Sequence, residues 1–292
     1  MTRVFLDYDQ KALDDAYDQS VYAANREQLL ARFASSSEIA RKRLGAPQRF
    51  AYGAKPIEQL DVFAARKPNA PVNVFVHGGA WRAGEAKNYA WPAEMFVRAG
   101  SHYVVLDFDN VIDAEGSLFV MADQVRRALA WVYLNCAKFG GDAKRIHVSA
   151  TSSGAHLAGV AATTDWKKDF DLPADFVKGY VLVSGMYDLR GPRLSKRSAY
   201  VRFTDDMEMA LSPRRFAARV AAPIVLVYGS LETPEFQRQS REFADALRQA
   251  GKQVDLVLAE GYNHFEIAET LGNPYGPAGR AALEQMKLQE RA

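Results

Sequence analysis

Seven short runs rich in β-branched and aromatic residues constrain this 292-residue chain more than any other feature. They lie at 59–64, 72–76 (VNVFV), 103–108 (YVVLDF), 145–149 (RIHVS), 180–184 (YVLVS), 224–228 (IVLVY) and 254–258 (VDLVL). Several are continuously apolar, the pattern of strands covered on both faces. Helical periodicity fills the intervals, notably over 118–139, 153–163, 235–250 and 276–290, and the third of these stops at Gly251. Strand alternating with helix predicts an α/β fold, a mostly parallel central sheet flanked by helices. Its ligand site is expected beyond the carboxyl ends of the strands.

Residues 8–44, with Leu29, Leu30, Phe33 and Ile39 at helical spacing, read as two amphipathic helices, a small helical N-terminal extension or cap over 1–45. With 48% hydrophobic residues and no repeat, low-complexity tract or linker, positions 1–292 are expected to form one domain. Lys plus Arg number 37 against 35 acids, and the net charge of +2 gives no field that would recruit nucleic acid or an anionic membrane. The expected partner is a small-molecule substrate, with a homodimer as the assembly considered. The opening MTRVFLDYDQ has no apolar h-region and no run is long enough to span a bilayer, so a cytoplasmic address is expected. Cys136 stands alone and reads as helix packing.

The run RIHVS passes into Ala150-Thr151-Ser152-Ser153-Gly154-Ala155-His156 and then an apolar helical stretch. This is the context of a nucleophile elbow, where small residues on either side let a serine project from a tight strand-to-helix turn. Ser152 occupies that position, although Ala150 stands where the consensus has glycine. Ser149 and Ser153 are its rivals, but a frame centred on Ser153 loses Gly154 as the small spacer. Upstream, VNVFV ends in His77-Gly78-Gly79-Ala80-Trp81, where paired glycines let backbone amides approach a ligand. Gly78 and Gly79, with the amide of Ser153, are the expected oxyanion donors.

A nucleophilic serine needs a base and a group to orient it. His264 is the one histidine downstream of Ser152, in the turn Gly261-Tyr262-Asn263-His264 after VDLVL. His77 is expected to brace its loop, His156 to begin a helix, and His102 and His147 to sit in strands; none is paired as zinc ligands are. After IVLVY, Glu232 and Glu235 offer carboxylates. Glu232 lies in the strand-end loop and is the chosen acid, whereas Glu235 is explained as a first-turn acid favoured by the helix dipole. Trp81, Tyr187 and Phe265 adjoin these loops and are candidates to line an aromatic substrate pocket.

Together HGGAW, SATSSGAHLAG, TTDW, SGMYDL, GSLETPEFQRQS and GYNHFEIAETL resemble the arylformamidase (kynurenine formamidase) branch of the α/β-hydrolases, over 77 to about 271. The resemblance maps the family's serine to Ser152, its acid to Glu232 and its histidine to His264, with Gly78 and Gly79 in the oxyanion loop. It implies an aryl formamide or an aryl or short-acyl ester as substrate, cleaved through an acyl-enzyme without cofactor or metal. Two positions depart from the family pattern, Glu where the acid is commonly Asp and Ala150 where the elbow commonly has Gly. Ala150 also favours a competing reading, a catalytically silent hydrolase-fold binding protein, which intact Ser152 and His264 oppose.

Overall fold

The computed structural model describes residues 2–288; Met1 and residues 289–292, including the end of the helix expected over 276–290, lie outside them. The strands are β1 (Gln48–Ala51), β2 (Gln59–Phe63), β3 (Ala70–Val76), β4 (His102–Leu106), β5 (Gly141–Thr151), β6 (Val177–Val183), β7 (Ile224–Gly229) and β8 (Val254–Ala259). They form an eight-stranded sheet in the order β1-β2-β4-β3-β5-β6-β7-β8. β2 is antiparallel to both neighbours, and every pairing from β4 to β8 is parallel. The seven expected runs each became a strand, and the short, exposed edge strand β1 is an addition.

Alternate residues of β3, β4, β6 and β7 feed two different cores, which is why these runs read as continuously apolar. Val72, Val74 and Val76 of β3, Val104 and Leu106 of β4, and Leu182 and Leu226 of β6 and β7 face one cluster. Phe75, Tyr103, Val105, Val181, Val183, Val225 and Val227 face the other. The period of two thus divides one sequence run between two helical layers.

The helices are α1 (Gln10–Ala16), α2 (Gln19–Tyr22), α3 (Arg26–Leu44), α4 (Ala93–Arg98), α5 (Leu118–Asn135), α6 (Ser153–Ala162), α7 (Trp166–Phe170), α8 (Arg190–Leu194), α9 (Asp205–Ala210), α10 (Pro234–Gln249), α11 (His264–Glu269) and α12 (Pro277–Gln285). Residues 8–44 therefore hold three helices rather than two. The chain breaks at Asp18, whose side chain caps α2 through the amide of Ser20, and again before Asn25. α10 ends as its glycine predicts: Gly251 has φ +70°, and the amide of Lys252 donates back to the Leu247 carbonyl at 2.9 Å. Cys136 is buried directly after α5.

Candidate active site

The turn between β5 and α6 holds Ser152 at φ 54°, ψ −125°, a conformation that costs a non-glycine residue about 1–3 kcal/mol. The surroundings enforce it. The Ser152 amide donates to the Val183 carbonyl at 2.8 Å, and the Ser152 carbonyl accepts from the His156 amide at 3.2 Å. Two residues on, a Cβ at Gly154 would lie 2.2 Å from the Val76 carbonyl oxygen and 2.3 Å from that of His77. Glycine there lets α6 begin directly beneath the end of β3. Ala150 is tolerated because its methyl is wholly buried in the apolar cluster that β5 shares with α6.

The rival serines have other work. The Ser149 hydroxyl is buried and donates to Asn73 Oδ1 at 2.6 Å, and the Ser153 hydroxyl accepts the amide of Trp81 at 3.1 Å. That second bond ties the loop after β3 to the elbow. A Cβ at Gly78 would come within 2.9 Å of the Thr151 carbonyl, and one at Gly79, where φ is +126°, within 1.9 Å of the Ala83 carbonyl. Ala80 and Trp81 follow at φ 55° and 64°. Among the described residues the amides of Gly78, Gly79 and Ser153 donate to no acceptor in the chain, so they remain available to a ligand. His77 braces this loop as expected: it is buried between Phe108 and Tyr89, and its Nδ1–H donates to the Gly78 carbonyl at 2.8 Å.

His264 and Glu232 meet the serine from the far strands. His264 Nε2 lies 2.8 Å from Ser152 Oγ, and its Nδ1 lies 2.7 Å from Glu232 Oε2. The other carboxylate oxygen of Glu232 accepts the Gly229 amide at 2.7 Å and the Ser184 hydroxyl at 2.5 Å. This carboxylate is nearly inaccessible to solvent, and its three partners hold both oxygens in fixed directions. Ser184, at φ 56° after β6, lay within the SGMYDL block, but nothing in its spacing pointed to the acid 48 residues later.

His264 also differs from its sequence reading, because it opens α11 rather than sitting in a turn. A capping box makes that helix: the Asn263 side chain accepts the amides of Phe265 and Glu266, and Glu266 accepts the Asn263 amide at 2.9 Å. The pattern Asn263-x-x-Glu266 was the available signal. Asn25, just before α3, donates to Glu266 at 2.7 Å and accepts from Asn263 at 2.8 Å, so the N-terminal region steadies the histidine helix. Glu235 is more than a first-turn acid: it is buried, paired with Arg238 at 2.7 Å, and accepts the Tyr17 hydroxyl of the α1 end at 2.7 Å.

Burial corrects two of the three aromatic pocket candidates. Tyr187 has no exposed surface and stacks on Phe243 with ring centres 4.5 Å apart, so it packs α10 against the core. Trp81 is buried too, and its indole N–H donates to His156 Nδ1 at 3.1 Å, while His156 Nε2–H donates to the Leu211 carbonyl at 2.8 Å. His156 is thereby fixed in one neutral tautomer, and burial holds it down at about 4. Phe265 remains partly exposed, edge-on to the His264 ring at 5.3 Å. Among the described residues no three His, Cys, Asp or Glu side chains cluster as metal ligands do, and no helix is long and apolar enough to cross a membrane.

Comparison with known proteins decides the family. A family profile described as BD-FAE matches residues 60–192. The kynurenine formamidase of Salmo salar is 30% identical over 232 residues, covering 75% of this chain and 75% of the relative. The chain belongs to the arylformamidase and esterase branch of the α/β-hydrolases. The kynurenine formamidase of Danio rerio is 29% identical with the same coverage of both chains. The solved hyperthermophilic esterase of Pyrobaculum calidifontis superposes with a TM-score of 0.66 at 20% identity, over 95% of this chain and 94% of its own. This α/β-hydrolase is accordingly a hydrolase of the esterase or formamidase type, and the strand order above is the frame that carries the candidate site.

Proposed function

We propose that the protein hydrolyses an aryl formamide or a short-acyl aryl ester through a covalent acyl-enzyme. Ser152 is the nucleophile, His264 the general base and Glu232 the acid that orients it. The observation that carries this reading is the chain of two short hydrogen bonds from Ser152 Oγ through the His264 ring to Glu232, built on a strained elbow.

His264 Nε2 takes the Ser152 proton as Oγ attacks the formyl or acyl carbon. The Nδ1–H bond to Glu232 keeps the ring in the tautomer that can do so and stabilises the imidazolium that forms. The tetrahedral oxyanion is met by the amides of Ser153, Gly78 and Gly79. Each such donor contributes about 3 kcal/mol in the transition state, because a preorganised amide needs no reorientation as charge develops. His264 then gives its proton to the departing amine or phenol. The same ring activates the water that releases the acid and regenerates Ser152.

The test measures turnover of N-formylkynurenine and of 4-nitrophenyl acetate by the native protein and by Ser152→Ala. We expect the native protein to cleave at least one, with kcat about 10⁵–10⁶-fold lower in the variant. Full activity in a folded Ser152→Ala protein would remove the serine from the mechanism, and a native protein inert to both would favour a silent binding protein instead.

A further inference from the structure

A short 3-10 turn, Lys196–Ala199, crosses the carboxyl edge of the sheet in the segment between β6 and β7, and it buries an arginine. Arg197 is only 5% exposed. Its guanidinium lies over the Trp81 ring at 5.3 Å and over the Phe236 ring at 6.0 Å. Trp81 is continuous with the oxyanion loop, and Phe236 packs edge-on against the His264 ring at 4.9 Å. Arg197 therefore sits between the two halves of the proposed site, one aromatic ring away from each.

Its partners are neutral. One terminal nitrogen donates to the Tyr200 hydroxyl at 2.9 Å and the other to the Tyr17 carbonyl at 3.0 Å, while Nε is buried with no partner. Neighbouring cations on the same segment are matched with acids, Arg193 with Asp205 and Glu208, and Lys196 with Asp18. Among the described residues no carboxylate pairs with Arg197. A buried guanidinium with two neutral acceptors retains a desolvation cost that a carboxylate would offset, and its remaining N–H groups form the fork that carboxylates match. Arg82, exposed beside the oxyanion loop and stacked over the opposite partner Tyr200 at 4.8 Å, adds a second cation at the same place.

We propose that Arg197, assisted by Arg82, receives a carboxylate of the substrate, so that the enzyme selects anionic aryl esters and formamides over neutral ones. This rests on the serine-hydrolase reading above. The experiment compares kcat and KM for 3-acetoxybenzoate and 3-acetoxybenzamide, acetate esters of one shape that differ in charge, in the native protein, Arg197→Met and Arg197→Lys. The native protein should prefer the carboxylate by on the order of tenfold or more. Arg197→Met should lower kcat/KM for the carboxylate by on the order of 10–100-fold, chiefly through KM, and for the amide by much less, with Arg197→Lys recovering part of the preference. A native preference for the amide overturns the proposal, as does an equal loss on both esters in a folded variant. The native comparison stands even if Arg197→Met does not fold. Equal native turnover of the two esters overturns this proposal alone, whereas a native protein inert to both esters and also to N-formylkynurenine and 4-nitrophenyl acetate would break the hydrolase reading itself.

Discussion

The two rims of one sheet differ in how tightly their positive-φ backbone is held. At the amino rim a surface cavity of about 690 Å³ opens among Lys67, Asn69, Pro71, Gly100, Arg145 and Glu284. Its positive φ values fall on exposed Asn69 and Lys287 and on Gly100, where a Cβ would meet nothing within 4 Å, so the backbone turns in open space. At the carboxyl rim Ala80, Trp81, Ser152 and Ser184 hold positive φ without being glycine, and a Cβ at Gly79 or Gly154 would collide with backbone. Open turns mark the first rim; over-determined geometry marks the second. Strain of this kind persists only where surrounding bonds hold it, here the bonds that the amides of Ser152 and Ser184 donate to the Val183 and Val227 carbonyls.

The contrast can be broken in order of expected effect. Glu232→Gln keeps an oxygen for Ser184 and Gly229 but presents an N–H to His264 Nδ1, which forces the wrong tautomer. We expect kcat to fall about 10⁴-fold with the fold intact by circular dichroism; near-native kcat would mean that the acid is not needed where the structure holds it. The next effect is on stability. His156 has its unfolded value near 6.5 and is held at about 4 by burial, so folding favours its neutral form. Stability is therefore full above about pH 6.5, falls as the pH drops toward 4, and has lost about 3 kcal/mol from this group once it is protonated. Urea unfolding at pH 7.5 and 5 measures this. His147, also held at about 4 by burial, acts in the same direction, so the acid loss should shrink but persist in His156→Gln. A flat profile in the native protein would remove both groups from the account. The smallest effect belongs to the amino rim, where Lys67→Ala should leave kcat/KM unchanged and shift stability by no more than about 0.5 kcal/mol. A clear loss of turnover there would assign function to the amino-rim cavity.

Much of this molecule could be read before folding was considered. The central β-rich runs were legible as strands because a strand covered on both faces is apolar at nearly every position, and that pattern is local. The elbow was equally legible: a strand, Ser152 between small residues, and an apolar helix lie within some twenty consecutive positions. His264 followed by elimination. α11 was missed although its capping box was present, because a four-residue signal at a helix of six residues is outweighed by the glycine and asparagine before it. β1 was missed because only Phe50 of its four residues packs on the core, too little to impose a pattern.

What the sequence determined by itself was the fold class, the order of the candidate site residues and the chemistry proposed for them, since each depends on residue type and local spacing. Only the tertiary structure decided which carboxylate meets His264, that Ser184 and Asn25 brace the acid and the histidine helix, and that Trp81 and Tyr187 face the interior. The neutral environment of Arg197 belongs to the same class. These are contacts between residues tens to hundreds of positions apart, set by how strands order in the sheet and how helices cover it, and no local pattern encodes them.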